Sequence, residues 1–280
     1  MFKDIVLPIT GSAADSRALS LTLDLAQAHG AHLTVLEMVN LPLPVTGPWG
    51  LMPDASMTEL YQQLREQGET NVAVLKNKLK DEVVSHEVRL VQAFFSEPSK
   101  LAAHVTQTAD LSVVAITPND SVDGDISRTY FSSLLIDSGR PVIVVPPHCK
   151  APMPPKKVVI AWRQTRECSR AVHDAMPLLK GAESVEILLV DPKGGEKGDG
   201  EIPGAAIRQH LGRHGVTASV QVRQSHDNRI AAVLHDFVVE TRANMLVAGG
   251  YGHSRLREWA LGGATRELLF ETTVPVFFSH

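Results

Sequence analysis

Residues 4–39, DIVLPITGSAADSRALSLTLDLAQAHGAHLTVLEMV, decide the fold, because residues 157–190, KVVIAWRQTRECSRAVHDAMPLLKGAESVEILLV, repeat their pattern. Each stretch is an apolar run, a segment of helical period closed by glycine, and a second β-branched run, which together make a βαβ unit. Val6 falls near Val159 and Gly30 near Gly181. In the first copy Ser12 is placed to cap a helix over residues 13–29, with Asp15 three residues on and Gly30 at the left-handed closing position.

Outward from these units the alternation continues. The first half adds a helix from Met57, preceded by Ser56 and with Glu59 at its third position, a run over residues 88–94, a helix from Pro98, LSVVAI and VIVVP. The second adds a helix over residues 205–214, a strand over 218–222, a helix after Asp227, MLVA, a helix from Arg255, and VPVFF. Inner strands that are apolar throughout imply a parallel sheet covered on both faces. The expectation is an α/β chain of two tandem doubly wound, Rossmann-like domains, each with five strands. The five prolines of PPHCKAPMPPKK favour an extended connector, so the domains divide as 1–150 and 151–280, near Pro152. The stretches 40–56 and 191–204 read as mobile covers over their domains. The runs 142–145 and 274–278, each preceded by proline, would be unpaired edges, and the expectation is that they pair antiparallel with each other.

Composition narrows the function classes. The 280 residues are 44% hydrophobic and 21% charged, and 27 Lys and Arg against 31 Asp and Glu give a net charge of −4. No basic cluster is dense enough to track a phosphate backbone, which disfavours nucleic acid. Two cysteines, Cys149 and Cys168, supply neither a disulfide framework nor a four-thiolate site and suit a reducing cytosol. No apolar run approaches the ~20 residues of a membrane span, and MFKDIVLPIT lacks a secretory pattern, so a cytoplasmic location is expected.

In an open α/β sheet, ligands bind at the carboxyl ends of strands where the strand order reverses. There the second half reads Gly249-Gly250-Tyr251-Gly252, the nine residues HSRLREWAL, then Gly262-Gly263 and a helical stretch from Ala264. Glycines admit phosphate oxygens close to backbone amides, and a helix N-terminus adds roughly half a positive charge. Glycine at a strand-to-loop turn also serves backbone geometry alone. The whole arrangement, G-x2-G-x9-G after a fourth strand in a duplicated chain, resembles the universal stress protein family in its tandem two-domain form. The resemblance covers essentially the full chain. It implies a cytoplasmic stress-response protein, regulatory or protective, that binds ATP or AMP in its second domain and pairs domains through their last strands. Chains of this type also form homodimers.

By that resemblance the nucleotide-binding residues are Ala161, Trp162, Arg163, Gly249, Gly250, Gly252, His253, Gly262, Gly263 and Ala264. The family pattern places an adenine-facing Asp after strand one and Ser or Thr after the last glycine. Here Arg163 and Gly263 stand at those places, and Thr10 stands at the first in the other half. Arg163 replaces an acceptor with a donor, which opposes the usual adenine pose and favours an anion. In the first half TPNDSVDGDISRTYFSSLLIDSG places Asp120, Asp123 and Asp125 in a loop where phosphates would need donors, so nucleotide is expected only in the second half. Their spacing does not fit a calcium loop.

Catalytic motifs are missing from the sequence: no G-x-S-x-G elbow and no Walker motif. Cys168 begins a helix, where a thiolate is favoured, although a packed first turn equally tolerates a small residue. His210 and His214 share a helical face but lack the Glu of a zinc protease motif, and no metal ligands are assigned. Trp162 and Tyr251 either border one pocket or, for Trp162, belong to the core. Three classes stay open: a nucleotide-binding regulator, a weak ATP hydrolase, and an interaction scaffold without nucleotide.

Overall fold

The computed structural model describes residues 1–42, 55–94, 96–117, 121–147, 149–192, 202–225, 229–250, 268 and 272–280. The first half runs β1 (Asp4–Pro8), α1 (Asp15–His29), β2 (His32–Leu41), α2 (Ala55–Leu79), β3 (His86–Phe94), α3 (Pro98–Thr106), β4 (Leu111–Ala115), α4 (Val122–Asp137) and β5 (Val142–Val145). The second runs β6 (Lys157–Ala161), α5 (Arg166–Asp174), α6 (Met176–Leu179), β7 (Ser184–Val190), α7 (Ala205–Arg213), β8 (Ala218–Arg223), α8 (Ile230–Thr241), β9 (Met245–Gly249) and β10 (Val276–Ser279). Of the helix expected from Arg255, Leu268 alone is described; it is helical and buried.

These strands form one sheet in the order β3-β2-β1-β4-β5-β10-β9-β6-β7-β8, so the second half mirrors the first. Pairing is parallel within each half. At the seam β10 meets β5 antiparallel, Val276 beside Val144 and Phe278 beside Val142, which is the arrangement expected of the two proline-led runs. Every residue of β4 and β5 is buried. Successive strand side chains point to opposite faces, so both faces there are covered. Phe131 of α4 meets Phe278 edge to face at 5.3 Å, linking the first half's helix layer to the second half's last strand.

Helix α1 buries Ala18, Leu19, Leu21, Leu25 and Ala26 on one stripe, and Gly30 closes it in the left-handed region, its N–H reaching the carbonyls of Ala26 and Gln27. Its start differs from expectation. The cap position falls on Ala14, and Ser12 lies two residues before it; instead the Asp15 carboxylate reaches back to the N–H groups of Thr10 and Ser12. The segment aligned with α1 breaks into α5 and α6 beside Pro177, which cannot donate to the preceding turn. The acidic stretch read as a loop is corrected as well. Ser121 caps α4 by accepting from the Gly124 N–H, so Asp123 and Asp125 lie in that helix's first turn, where the dipole favours carboxylates. Asp120 lies outside the described residues.

The connector is tied down rather than merely extended. Arg17 of α1 donates from Nε to the Cys149 carbonyl at 3.0 Å and from Nη2 to the Ala151 carbonyl at 3.0 Å. Across the seam Arg170 of α5 donates to the Gly139 carbonyl, and within the second half Ser279 of β10 donates to Asp174 of α5 at 2.6 Å. The two stretches read as covers fall at residues 43–54 and 193–201 outside the described residues.

Candidate functional site

The chain leaves β6 toward β7 and β8 on one side, while β9 and β10 lie on the other, which makes the β6/β9 edge a point of strand-order reversal. Ala161 stands beside Ala248 there. Ala161, Trp162, Arg163, Gly249 and Gly250 are thereby brought to one edge. Tyr251, Gly252, His253, Gly262, Gly263 and Ala264 lie outside the described residues.

Each placed residue has a definite local role. Trp162 donates its N–H to the Leu188 carbonyl and packs, half-buried, against the core. Arg163 is exposed, and its carbonyl accepts from the Thr165 N–H. Thr165 caps α5 by accepting from Cys168 N–H, and the Cys168 thiol faces the Ala161 carbonyl at 3.7 Å. A Cβ on Gly249 would stand 2.6 Å from the Cys168 nitrogen and 2.8 Å from the Glu167 carbonyl carbon. Glycine there lets the first turn of α5 rest on the end of β9.

Gly250 is committed to the end of β10 and to α4. Its N–H donates to the Ser279 carbonyl at 2.8 Å, its carbonyl hydrogen-bonds His280 Nδ1 at 3.1 Å, and a Cβ would meet Leu135 at 2.6 Å. That amide is therefore engaged by the sheet, and the expectation that it donates to an anion is not what the geometry offers. His210 and His214 face each other at the end of α7 with ring centroids 4.6 Å apart. Among the described residues no group of three or more His, Cys, Asp or Glu is placed to hold a metal ion.

The first half holds a cluster that the sequence did not announce. Thr10 donates its N–H to Asp15 Oδ2 at 3.0 Å and its hydroxyl to Oδ1 at 2.9 Å, while Ser12 N–H reaches Oδ2 at 3.0 Å. Glu37 of β2 is 7% exposed, and its Oε1 accepts from Asn71 Nδ2 of α2 at 2.7 Å. Both carboxylates line a cavity of about 270 Å³ between α1, β2 and α2. Burial pushes both acids above their ordinary values, and the charge on Asp15 adds to the shift at Glu37. Burial, then the charges of Asp15 and Glu37, raise the Tyr130 phenol of α4 too. The one available signal was a glutamate at the sixth place of HLTVLEMVNL, inside an otherwise apolar run.

A raised acid binds protons more tightly folded than unfolded. Its contribution is therefore fully present below the unfolded value, near 4.5 for Glu37, and is lost as pH rises through the folded one. Glu37→Gln, which cannot ionise, should gain stability relative to the parent as pH rises from about 4 to about 8. Urea midpoints of both proteins across that range measure the difference; a difference independent of pH would contradict this account.

Residues 1–115 match the universal stress protein family model. Over those residues the first half is similar to that family. No curated protein matches the chain. The solved structure of a universal stress protein from Archaeoglobus fulgidus DSM 4304 is similar over 99% of this chain and 95% of its own, with TM-score 0.72 and 16% identity. A functionally unknown protein from Pseudomonas aeruginosa PAO1 is similar over 99% and 92%, with TM-score 0.60 and 13% identity. The cytoplasmic domain of a prokaryotic cation chloride cotransporter is similar over 99% and 95%, with TM-score 0.54 and 10% identity. At such identities the likeness concerns the fold. Among the described residues, no helix is long and apolar enough to cross a membrane.

Proposed function

We propose that the chain is a cytoplasmic stress-response protein, regulatory or protective, built of two universal stress protein domains over 1–150 and 151–280, whose second domain binds an adenine nucleotide such as ATP or AMP. One observation carries the reading: exposed Arg163 stands at the β6/β9 reversal, where β9 ends at Gly249, and Gly252 and Gly262 follow Gly249 in the sequence. Arg163 and His253 would meet the phosphates, with Gly252, Gly262, Gly263 and Ala264 supplying close-approach backbone and Ala161 and Trp162 the floor. Gly249 and Gly250 would shape this edge without donating. In the first domain Asp123 and Asp125 put charge on the α4 N-terminus, which opposes a phosphate there. One nucleotide per chain is the expected stoichiometry.

Calorimetric titration of the whole chain with ATP and AMP, and mass spectrometry of ligand released from fresh protein, test this. Gly252→Val, Gly262→Val and Arg163→Ala should each weaken nucleotide at least tenfold, about 1.4 kcal/mol, while circular dichroism stays unchanged. Unchanged affinity in all three variants, or a parent that binds neither nucleotide, would favour the interaction scaffold. That alternative has its own support, since packing alone accounts for Gly249 and Gly250.

A further inference from the structure

Nothing in the nucleotide reading uses His210 and His214 of α7. Ile207 and Leu211 are buried and fix that helix to the protein, and Gly204 at its start lies against Val220 of β8, the outer strand of the second half. Both histidines are exposed. The turn between them is closed, His214 donating its N–H to the His210 carbonyl at 3.3 Å, and the two rings face each other with centroids 4.6 Å apart and planes 55° to one another. Residues four apart on a helix are neighbours, so the backbone holds the rings together before any ligand arrives. Five other histidine rings are engaged: His29, His32, His86, His173 and His280 each hydrogen-bond a neighbouring group. Neither ring of the α7 pair has a hydrogen bond or an ion pair among the described residues.

We propose that His210 and His214 chelate one divalent transition-metal ion, copper(II) more tightly than zinc(II), through one ring nitrogen each. Imidazole suits both metals, and affinity for a given set of nitrogen ligands peaks at copper(II). Two histidines four apart on one helical face reach a single ion in zinc proteases; the glutamate of that motif serves there as general base, and a chelate does without it. The partial negative charge at the C-terminal end of α7 favours a cation. Exposed Arg213 in the same turn opposes one. Attraction between charges therefore does not carry the affinity, and coordination by nitrogen does, which sets aside magnesium and calcium, ions that take oxygen ligands. Among the described residues no third His, Cys, Asp or Glu joins the pair, so water completes the coordination and the ion exchanges freely.

The test is calorimetric titration of the untagged whole chain with copper(II), zinc(II) and magnesium chlorides in turn. Saturable copper binding is expected, with zinc at least tenfold weaker and magnesium not bound. His210→Asn and His214→Asn should each weaken copper at least tenfold, with circular dichroism unchanged. Cys168→Ser, which removes the partly exposed thiol, should leave copper affinity as it is. Gly212→His combined with His214→Asn keeps the number of histidines but sets the second one two places from His210, where side chains do not face each other. A Cβ at Gly212 meets nothing within 4 Å, so the helix accepts the change, and this variant should bind as weakly as His214→Asn. Nucleotide titrations of the histidine variants should match the parent, so this site and the β6/β9 reading stand or fall separately. No saturable copper binding by the parent, affinity unchanged in both single histidine variants, parent-like binding by the combined variant, loss of binding in Cys168→Ser, or magnesium bound as tightly as copper would each overturn the assignment.

Discussion

Gly249→Val should destabilise the protein by about 3 kcal/mol, the upper end of overpacking costs. The atoms a Cβ would meet are backbone, the Cys168 nitrogen at 2.6 Å and the Glu167 carbonyl carbon at 2.8 Å, so no side chain can rotate out of the way. Relief requires α5 to lift from β9, which would disturb the Thr165 cap on Cys168 and bare apolar surface beneath α5. Gly212 of α7 supplies the control: a Cβ there meets nothing within 4 Å, and the residue is helical. Gly212→Ala should instead stabilise by about 0.5 to 1 kcal/mol, because alanine loses less backbone entropy in a helix. Chemical denaturation of the three proteins distinguishes these outcomes. Equal midpoints for Gly249→Val and the parent would show that α5 does not rest on β9 as described.

Phe278→Ala should cost about 3 to 5 kcal/mol, the range for removing a buried phenylalanine. The ring has 0% exposure, stands beside Val142 across the only antiparallel pairing among the described strands, and meets Phe131. Its loss falls on contacts joining the two halves. The Arg170 to Gly139 hydrogen bond that also joins the halves is exposed and worth far less. Unfolding should therefore separate into two transitions, the halves no longer melting as one. Calorimetry and denaturant titration followed by far-ultraviolet circular dichroism would show this. A single transition at the parent's midpoint would mean that the seam does not couple the halves.

Legibility in the sequence followed physical range. The helix ending at Gly30 could be read because a left-handed closing residue and a 3.6-residue apolar stripe are local properties. The antiparallel seam could be inferred because two apolar runs at sheet edges must cover each other or remain exposed. Asp15 looked like a helix-start residue, which it is, yet its partners Thr10 and Ser12 reverse the expected direction of capping. Asp123 and Asp125 were misplaced in a loop because Ser121, the residue that starts their helix, was not recognised as a cap. Asn71 carried no signal, since its use depends on a contact with Glu37, 34 positions away.

The sequence by itself determined the elements and their class: repeated βαβ units, apolar inner strands, a proline-rich connector and glycines at one strand end. These depend on backbone propensities and on periodicities of 2 and 3.6 residues, which act within a few neighbours. Only the tertiary structure decided what those glycines and acids do. Gly249 and Gly250 read as parts of an anion cradle until α5, Leu135 and Ser279 came to rest against them, and the burial of Glu37 beside Asp15 and Asn71 exists only once β2, α1 and α2 have packed. Steric exclusion and desolvation arise from atoms distant in the chain, so their effect on a residue is fixed only when the layers pack.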